Sequence, residues 1–246
     1  MVHPMIGIAV EVVLLASCFA GRSLRRAAED VLKPLAAGDI PTARQRLALY
    51  VGRDTEHLNE PEILRAVLET VSENATDGVM APLFYALVGA FLPWGSVPLA
   101  LAYKAASTLD SMVGYRDAPY THLGWFSARV EDVLTWLPCR LTVLTIALLS
   151  GQPGRVWAIC RRDAPADPSP NAGWSECAYA AALGVQLGGI NIYRGQMKEK
   201  PLLGDAVVEI GGDRILAALA LTRRAALLWL GLGISIMVAA ERIKWL

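Results

Sequence analysis

Three carboxylates, Glu69, Glu73 and Asp77, recur every four residues just before a long apolar segment. A helix turns about 100° per residue, so the three fall within an arc of roughly 80°. Carboxylates grouped at the mouth of an apolar segment bind Mg²⁺, an ammonium group or an arginine. The same stripe also reads as a solvated helix face. The helix that must carry it has an apolar stripe of Ile63, Val67 and Val71, flanked by Leu64 and Leu68. Asn59 is its expected N-cap, Pro61 sits in the first turn and Glu62 completes a capping box. Gly78 and Pro82 are expected to end it.

Other polar clusters interrupt apolar sequence. One holds Lys104, Ser107, Thr108, Asp110, Ser111, Gly114, Tyr115 and Arg116. Another places Arg129, Asp132, Trp136 and Arg140 at spacings of three and four, on one helix face. Arg140 lies within the apolar run from Leu134 to Leu149, where a cation costs roughly 2.5–3.5 kcal/mol at membrane depth. It therefore requires a partner or an anionic ligand, and both a buried structural pair and a functional site meet that requirement. Arg53 and Asp54 share a polar turn, Val51 to Thr55, and such a pair is structural or catalytic. His57 and His122 read as structural.

The chain has 246 residues, 54% of them hydrophobic and 19% charged, with a mean hydropathy of +0.38. Soluble domains carry about 25% charged residues, so the bias is toward a membrane protein. The formal net charge is zero, which argues against nucleic-acid binding. Cys18, Cys139, Cys160 and Cys177 are scattered, with neither zinc-site nor disulfide-framework spacing. Val2 to Ala20 is about as long as one membrane-spanning helix. The basic residues after it, from Arg22 to Arg53, place the following segment on the cytoplasmic side. Pro93, Gly95 and Pro98 break the apolar segment 79–103 into a helical hairpin. Ala180, Gly184 and Gly188 form a small-residue stripe suited to close helix packing. The expected fold is all-α: a single polytopic membrane-embedded domain over residues 1–246, with broken or re-entrant helices and polar loops forming the site. Candidate spans are 2–20, 79–103 as a hairpin, 133–150, 174–190 and 225–240.

Taken in order, these clusters resemble one family. Val51-Gly52-Arg53-Asp54-Thr55 is followed by Glu69…Glu73-Asn74…Asp77-Gly78…Ala81-Pro82-Leu83-Phe84. Next come Tyr103-Lys104…Thr108-Leu109-Asp110-Ser111-Met112-Val113-Gly114-Tyr115 and Arg129…Asp132-Val133…Pro138…Arg140-Leu141-Thr142. Ser169-Pro170-Asn171-Ala172-Gly173-Trp174, Gln186-Leu187-Gly188-Gly189 and Lys200-Pro201…Gly204 complete the series. The pattern, from about Gly7 to Leu230, resembles the CobD/CbiB family of cobalamin biosynthesis.

The resemblance implies a multi-pass protein of the bacterial inner membrane. It would join (R)-1-amino-2-propanol, or its O-phosphate, to a propionate carboxylate of adenosylcobyric acid. The product would be adenosylcobinamide or its phosphate, formed with ATP and Mg²⁺. Other late corrinoid-pathway enzymes are possible partners. Amide formation needs an activated carboxylate, with Mg²⁺ and cations holding phosphate charge. No Gly-x-x-x-x-Gly-Lys-Ser/Thr loop is present. On this reading Glu69, Glu73, Asp77, Asp110 and Asp132 are the catalytic carboxylates, with Glu73, Asp77 and Asp110 as the Mg²⁺ ligands. Arg53, Asp54, Asn74, Lys104, Ser111, Tyr115, Arg129, Arg140, Asn171 and Trp174 would bind substrate, the arginines as bidentate clamps. Family members usually carry a further stretch before the first matching segment, so the expectation is an N-terminally short member, with His3-Pro4 a coincidence.

Two other readings use the same clusters. A corrinoid-binding or transport protein would place a translocation site there, and the break at Pro93 to Pro98 suits one. An inactive scaffold of the late pathway is the other. A lipid-alcohol transferase is excluded, because Asp77-Gly78 is followed by Val79-Met80-Ala81-Pro82 rather than the sequence such enzymes require.

Overall fold

The computed structural model of the chain describes residues 4–114, 120 and 122–243. Ten α-helices, a π-helical turn, a short 3-10 turn and one hairpin make up the described fold. In order they are α1 (Pro4–Cys18), α2 (Gly21–Ala36), α3 (Ile40–Leu47), α4 (Glu60–Ala75), α5 (Ala81–Ala90), α6 (Ser96–Val113) and α7 (Leu123–Leu149). Then come α8 (Pro153–Asp163), α9 (Ala172–Leu183), β1 (Leu187–Tyr193), β2 (Gln196–Leu203) and α10 (Gly212–Ile243). The fold is mostly helical, but the hairpin corrects the all-α expectation.

Helix α4 is the central element. Its expected start is present: the Asn59 side chain accepts from the Glu62 N–H at 3.0 Å, and Glu62 accepts from the Asn59 N–H at 2.8 Å. Ile63, Leu64, Val67, Leu68 and Val71 are all buried, against α2, α9 and α10. The helix does not stop at Gly78. The chain runs through a π-helical turn, Thr76–Met80, directly into α5. Pro82 lies in the first turn of α5, where a missing N–H breaks no intrahelical bond. The turn is held from outside, because the Ala20 N–H donates to the Gly78 carbonyl at 2.8 Å. A Cβ on Gly78 would stand 2.9 Å from that of Ala20, so only glycine allows the approach.

Helices α5 and α6 fold back on each other at the Pro93–Gly95 break, with Tyr85 stacked on Tyr103 at 5.1 Å. Tyr85 also resolves a fault in α7. Pro138 has no N–H, which strands the Leu134 carbonyl one turn earlier, and the Tyr85 hydroxyl donates to that carbonyl at 2.9 Å.

Among the described residues two helices are long and apolar enough to cross a membrane, α7 over Gly124–Leu149 and α10 over Gly212–Arg242. A third candidate is the pair α1–α2, bent by 41° at the break after Cys18. The segment 174–190 is divided between elements. Helix α9 ends at Leu183, Gly184 caps it in the left-handed conformation (φ +70°), and β1 starts at Leu187. The expected small-residue stripe therefore dissolves, because Gly184 terminates a helix and Gly188 belongs to a strand. All four cysteines are buried and free.

Candidate functional site

The Val51–Thr55 turn, expected to contribute to the site, braces the hairpin. Arg53 is buried; its guanidinium contacts the Glu69 carboxylate and donates to Asn191 Oδ1 at 2.8 Å. Glu69 also accepts from the Gly188 N–H at 2.9 Å. Arg65, one turn before Glu69, donates to the Gly188 carbonyl and, at 3.1 Å, to the Ile190 carbonyl. Asp54 accepts from the backbone N–H groups of Arg194 (3.0 Å) and Gly195 (2.7 Å) at the hairpin tip. These bonds tie the turn and α4 to the hairpin, and with Arg65 at 3.6 Å they engage both Glu69 carboxylate oxygens. Glu69 thus parts company with Glu73 and Asp77, with which the fourfold spacing grouped it.

The hairpin so held closes one side of a cleft of about 540 Å³. Glu73 from α4 and Asp77 from the π-helical turn enter it from one wall. Asp110 of α6 and Glu131 and Asp132 of α7 enter from another. The loop before α9 adds Asp167, Ser169 and Asn171, and the hairpin adds Tyr193, Lys198, Glu199 and Lys200. Seven carboxylates and two ammonium groups line the space, so its field favours a cationic ligand at the α6–α7 side and an anionic one only near the hairpin.

Burial shapes the titration of these acids. Burial, reinforced by Glu131, Glu73, Asp110 and Asp132, holds Asp77 well above the usual carboxylate range. Burial raises Glu73 too, with Lys200 opposing the shift, and burial followed by the Asp132 charge raises Asp110. Such groups take up a proton close to neutral pH more readily than free carboxylates, as a general base or acid requires. On the hairpin side, burial disfavours the Lys200 ammonium, but Glu176, Glu69 and Glu73 outweigh it and keep Lys200 charged. Lys200 pairs with the fully buried Glu176 at 3.0 Å. Lys198 lies over the Tyr193 ring at 5.5 Å.

Of the expected carboxylates, Glu73, Asp77, Asp110 and Asp132 meet in this cleft, together with Asn171. Arg140 has its partner there: it donates to Asn171 Oδ1 at 3.0 Å and lies between the rings of Trp136 (5.2 Å) and Trp174 (4.7 Å). Asn171 in turn donates to the Asp132 carbonyl at 2.9 Å, tying the loop to α7. Arg129 is exposed and pairs with Asp132 at 3.7 Å. Other expected binding residues lie elsewhere. Asn74 is exposed and donates to its own helix at the Thr70 carbonyl. Lys104 lies within electrostatic reach of Cys18, at the α1 side of α6. Ser111 is exposed and donates to the Thr108 carbonyl. Tyr115 lies outside the described residues.

Glu131 was missed by the face-counting that selected Asp132. It points inward, accepting hydrogen bonds from Thr135 and, at 3.5 Å, from Tyr103. Its signal was the i, i+4 polar spacing Glu131…Thr135, on a different face of the helix from Asp132. Among the described residues no three acidic, histidine or cysteine side chains close into a metal site. Glu73, Asp77 and Asp110 share the cleft without converging. A donor set of separated carboxylates still fits Mg²⁺, which takes one or two protein carboxylates and completes its octahedron with water and phosphate.

The chain matches the family model described as CobD/Cbib protein over residues 1–222. It is 58% identical over 241 residues to the cobalamin biosynthesis protein CobD of Synechocystis sp., a match covering 98% of this chain and 70% of that protein. CobD of Geobacter metallireducens is 48% identical over 209 residues, covering 83% of this chain and 64% of the relative. CbiB of Salmonella arizonae is 45% identical over 238 residues, covering 95% and 73%. No solved structure matches. With four-fifths or more of its length aligned to each of these relatives, the chain belongs to the CobD/CbiB family of cobalamin biosynthesis proteins.

Proposed function

We propose that this chain is the amide-forming enzyme that joins an amino alcohol to a corrinoid carboxylate in the bacterial inner membrane. The amine is (R)-1-amino-2-propanol or its O-phosphate. The acid is a propionate of adenosylcobyric acid, and the product is adenosylcobinamide or its phosphate. ATP drives the reaction: a carboxylate oxygen leaves in phosphate, and the amine nitrogen takes its place on the carbonyl carbon.

The observation that carries this reading is the division of charge within one cleft. Asp77, Asp110, Glu131 and Asp132 form an acidic wall suited to an ammonium group, and Lys198 and Lys200 form a cationic edge suited to a propionate or phosphate. An alkyl ammonium must lose a proton before it attacks. Asp77 and Glu73, held above the ordinary carboxylate range, are the bases placed to accept it. Bound Mg²⁺ would neutralise phosphate charge between these acids and the nucleotide. Asn171, buried and bonded to both Arg140 and the Asp132 carbonyl, fixes the loop that brings Ser169 to the cleft. Helices α7 and α10, with the apolar α1 up to its bend into the basic α2, are the proposed membrane-embedded elements of a single multi-pass domain.

Turnover in nanodiscs tests the proposal: adenosylcobyric acid, aminopropanol phosphate, ATP and Mg²⁺, with mass spectrometry of the corrinoid. The expected result is the amide product, lost in Asp110→Asn and in Glu73→Gln. Corrinoid binding without product would sink the enzyme reading in favour of a binding or transport protein. Product from the Synechocystis relative but not from this chain would sink the enzyme reading for this chain.

A further inference from the structure

A second site lies on the far side of the π-helical turn from the acidic cleft. A groove of about 590 Å³ runs between the α1–α2 bend, the start of α5 and the middle of α10. Its walls are apolar, formed by side chains such as Phe19, Leu83, Leu227 and Leu230. Three arginines, Arg22, Arg25 and Arg223, edge it, and no carboxylate lines it. All three are exposed, and none makes an ion pair or side-chain hydrogen bond among the described residues.

Two helices independently put these cations at one membrane level. Arg22 follows directly on the apolar α1, whose Met5, Ile6, Val12 and Val13 are each more than half exposed. Arg223 precedes the apolar end of α10, whose Leu227, Leu232, Ile234 and Ile236 are likewise more than half exposed. From Arg223 to Arg242 a helix rises about 29 Å, close to the thickness of a hydrocarbon core. Outward-facing apolar side chains on both helices are those of a lipid-facing surface, and the arginines end that surface on one side.

We propose that this groove binds one anionic phospholipid, its phosphate held by Arg22, Arg25 and Arg223 and an acyl chain lying along Phe19, Leu83, Leu227 and Leu230. The charge is complementary, the cations have no side-chain partner among the described residues, and the apolar channel starts where the cations stop. The inference rests on the membrane placement proposed above and is independent of the chemistry of the acidic cleft.

Electron paramagnetic resonance on the full chain, reconstituted with spin-labelled phosphatidylglycerol or phosphatidylcholine, tests it. Wild type is expected to immobilise phosphatidylglycerol preferentially, with each arginine changed to glutamine lowering the preference by about fivefold. The triple variant Arg22→Gln/Arg25→Gln/Arg223→Gln should show no preference while unfolding at the wild-type temperature. Leu227→Trp keeps the arginines, fills the channel and should also release the lipid. Equal immobilisation of both lipids by wild type, or a preference that survives the triple variant, overturns the proposal. Displacement of the lipid by millimolar inorganic phosphate overturns it in favour of a free-anion site. Alkaline carbonate extraction separates the two readings: a chain washed off the membrane sinks the membrane placement, whereas a retained chain without lipid preference sinks the lipid site alone.

Discussion

Arg53 and Glu69 are in direct contact inside the protein, with 7% and 2% of their side chains exposed. Sixteen residues apart in sequence, they join the Val51–Thr55 turn to α4, and through Asn191 and Gly188 they hold the hairpin against that helix. The hairpin carries Lys198 and Lys200 into the acidic cleft. The pair is thus a brace that sets the position of the cationic edge.

Removing one partner leaves the other buried without its nearest counter-charge: among the described residues Arg53 keeps only the neutral Asn191, and Glu69 keeps only Arg65 as an ion-pair partner, at 3.6 Å. Glu69→Gln is expected to cost about 3 kcal/mol of stability, and Arg53→Met a similar amount. Arg53→Met/Glu69→Leu, which removes both charges, should recover part of that loss. Denaturant unfolding of the four proteins measures this, and a double variant no more stable than the worse single one would sink the idea of a mutually compensating pair.

Asp77 gives a pH signature with a definite sign. Its folded pKa is raised well above 3.8 by burial first and by neighbouring carboxylates second. The folded state therefore keeps this proton where the unfolded state has lost it. Its contribution is fully present below pH 3.8 and is lost as pH rises through the folded pKa. Asp77→Asn mimics the protonated form at every pH. Its stability advantage over wild type should grow as pH rises from 3.8 and level off above the folded pKa. Thermal unfolding across that range checks this, and an advantage that shrinks with rising pH would contradict it.

What was legible in the sequence was local. The Asn59 cap and the Ile63–Val71 stripe depend on spacing within one helix, and both formed where expected. The π-helical turn depends on Gly78 meeting Ala20 across the fold, a contact with no local signal. The hairpin was hidden by its turn chemistry. Its two turn residues, Arg194 and Gly195, both have positive φ (51° and 75°), and Arg-Gly is a weaker marker of such a turn than Asn-Gly. Gly188, read as a helix-packing residue, is a strand residue with φ +88°, and its neighbour Gly189 has φ +90°. Four carboxylates of the cleft could be found by type, but Glu131 and the two lysines arrive through α7 packing and strand pairing.

The stacked guanidinium of Arg140 should distinguish arginine from lysine. Between Trp136 and Trp174 it presents two flat faces while donating to Asn171. Arg140→Lys keeps the charge but loses the stacking and the fork, at a cost of about 1–2 kcal/mol. The Asn171 loop should loosen with it. Hydrogen exchange at residues 167–173 reports that loosening, and protection equal to wild type would show that the loop does not depend on the arginine.

The hairpin offers two substitutions of opposite sign. A Cβ at Gly188 (φ +88°) would collide with the Pro201 carbonyl on the paired strand, so Gly188→Ala should destabilise by about 2 kcal/mol. Arg194, exposed and at positive φ, gains from a residue at ease there, so Arg194→Asn should stabilise by about 0.5–1 kcal/mol. Neither change alters a cleft side chain, so both act on turnover only through the position of Lys198 and Lys200. Gly188→Ala is expected to raise KM for the corrinoid acid more than it lowers kcat, and Arg194→Asn to leave both unchanged. A loss of kcat at constant KM in Gly188→Ala would mean that the hairpin does more than place the cationic edge.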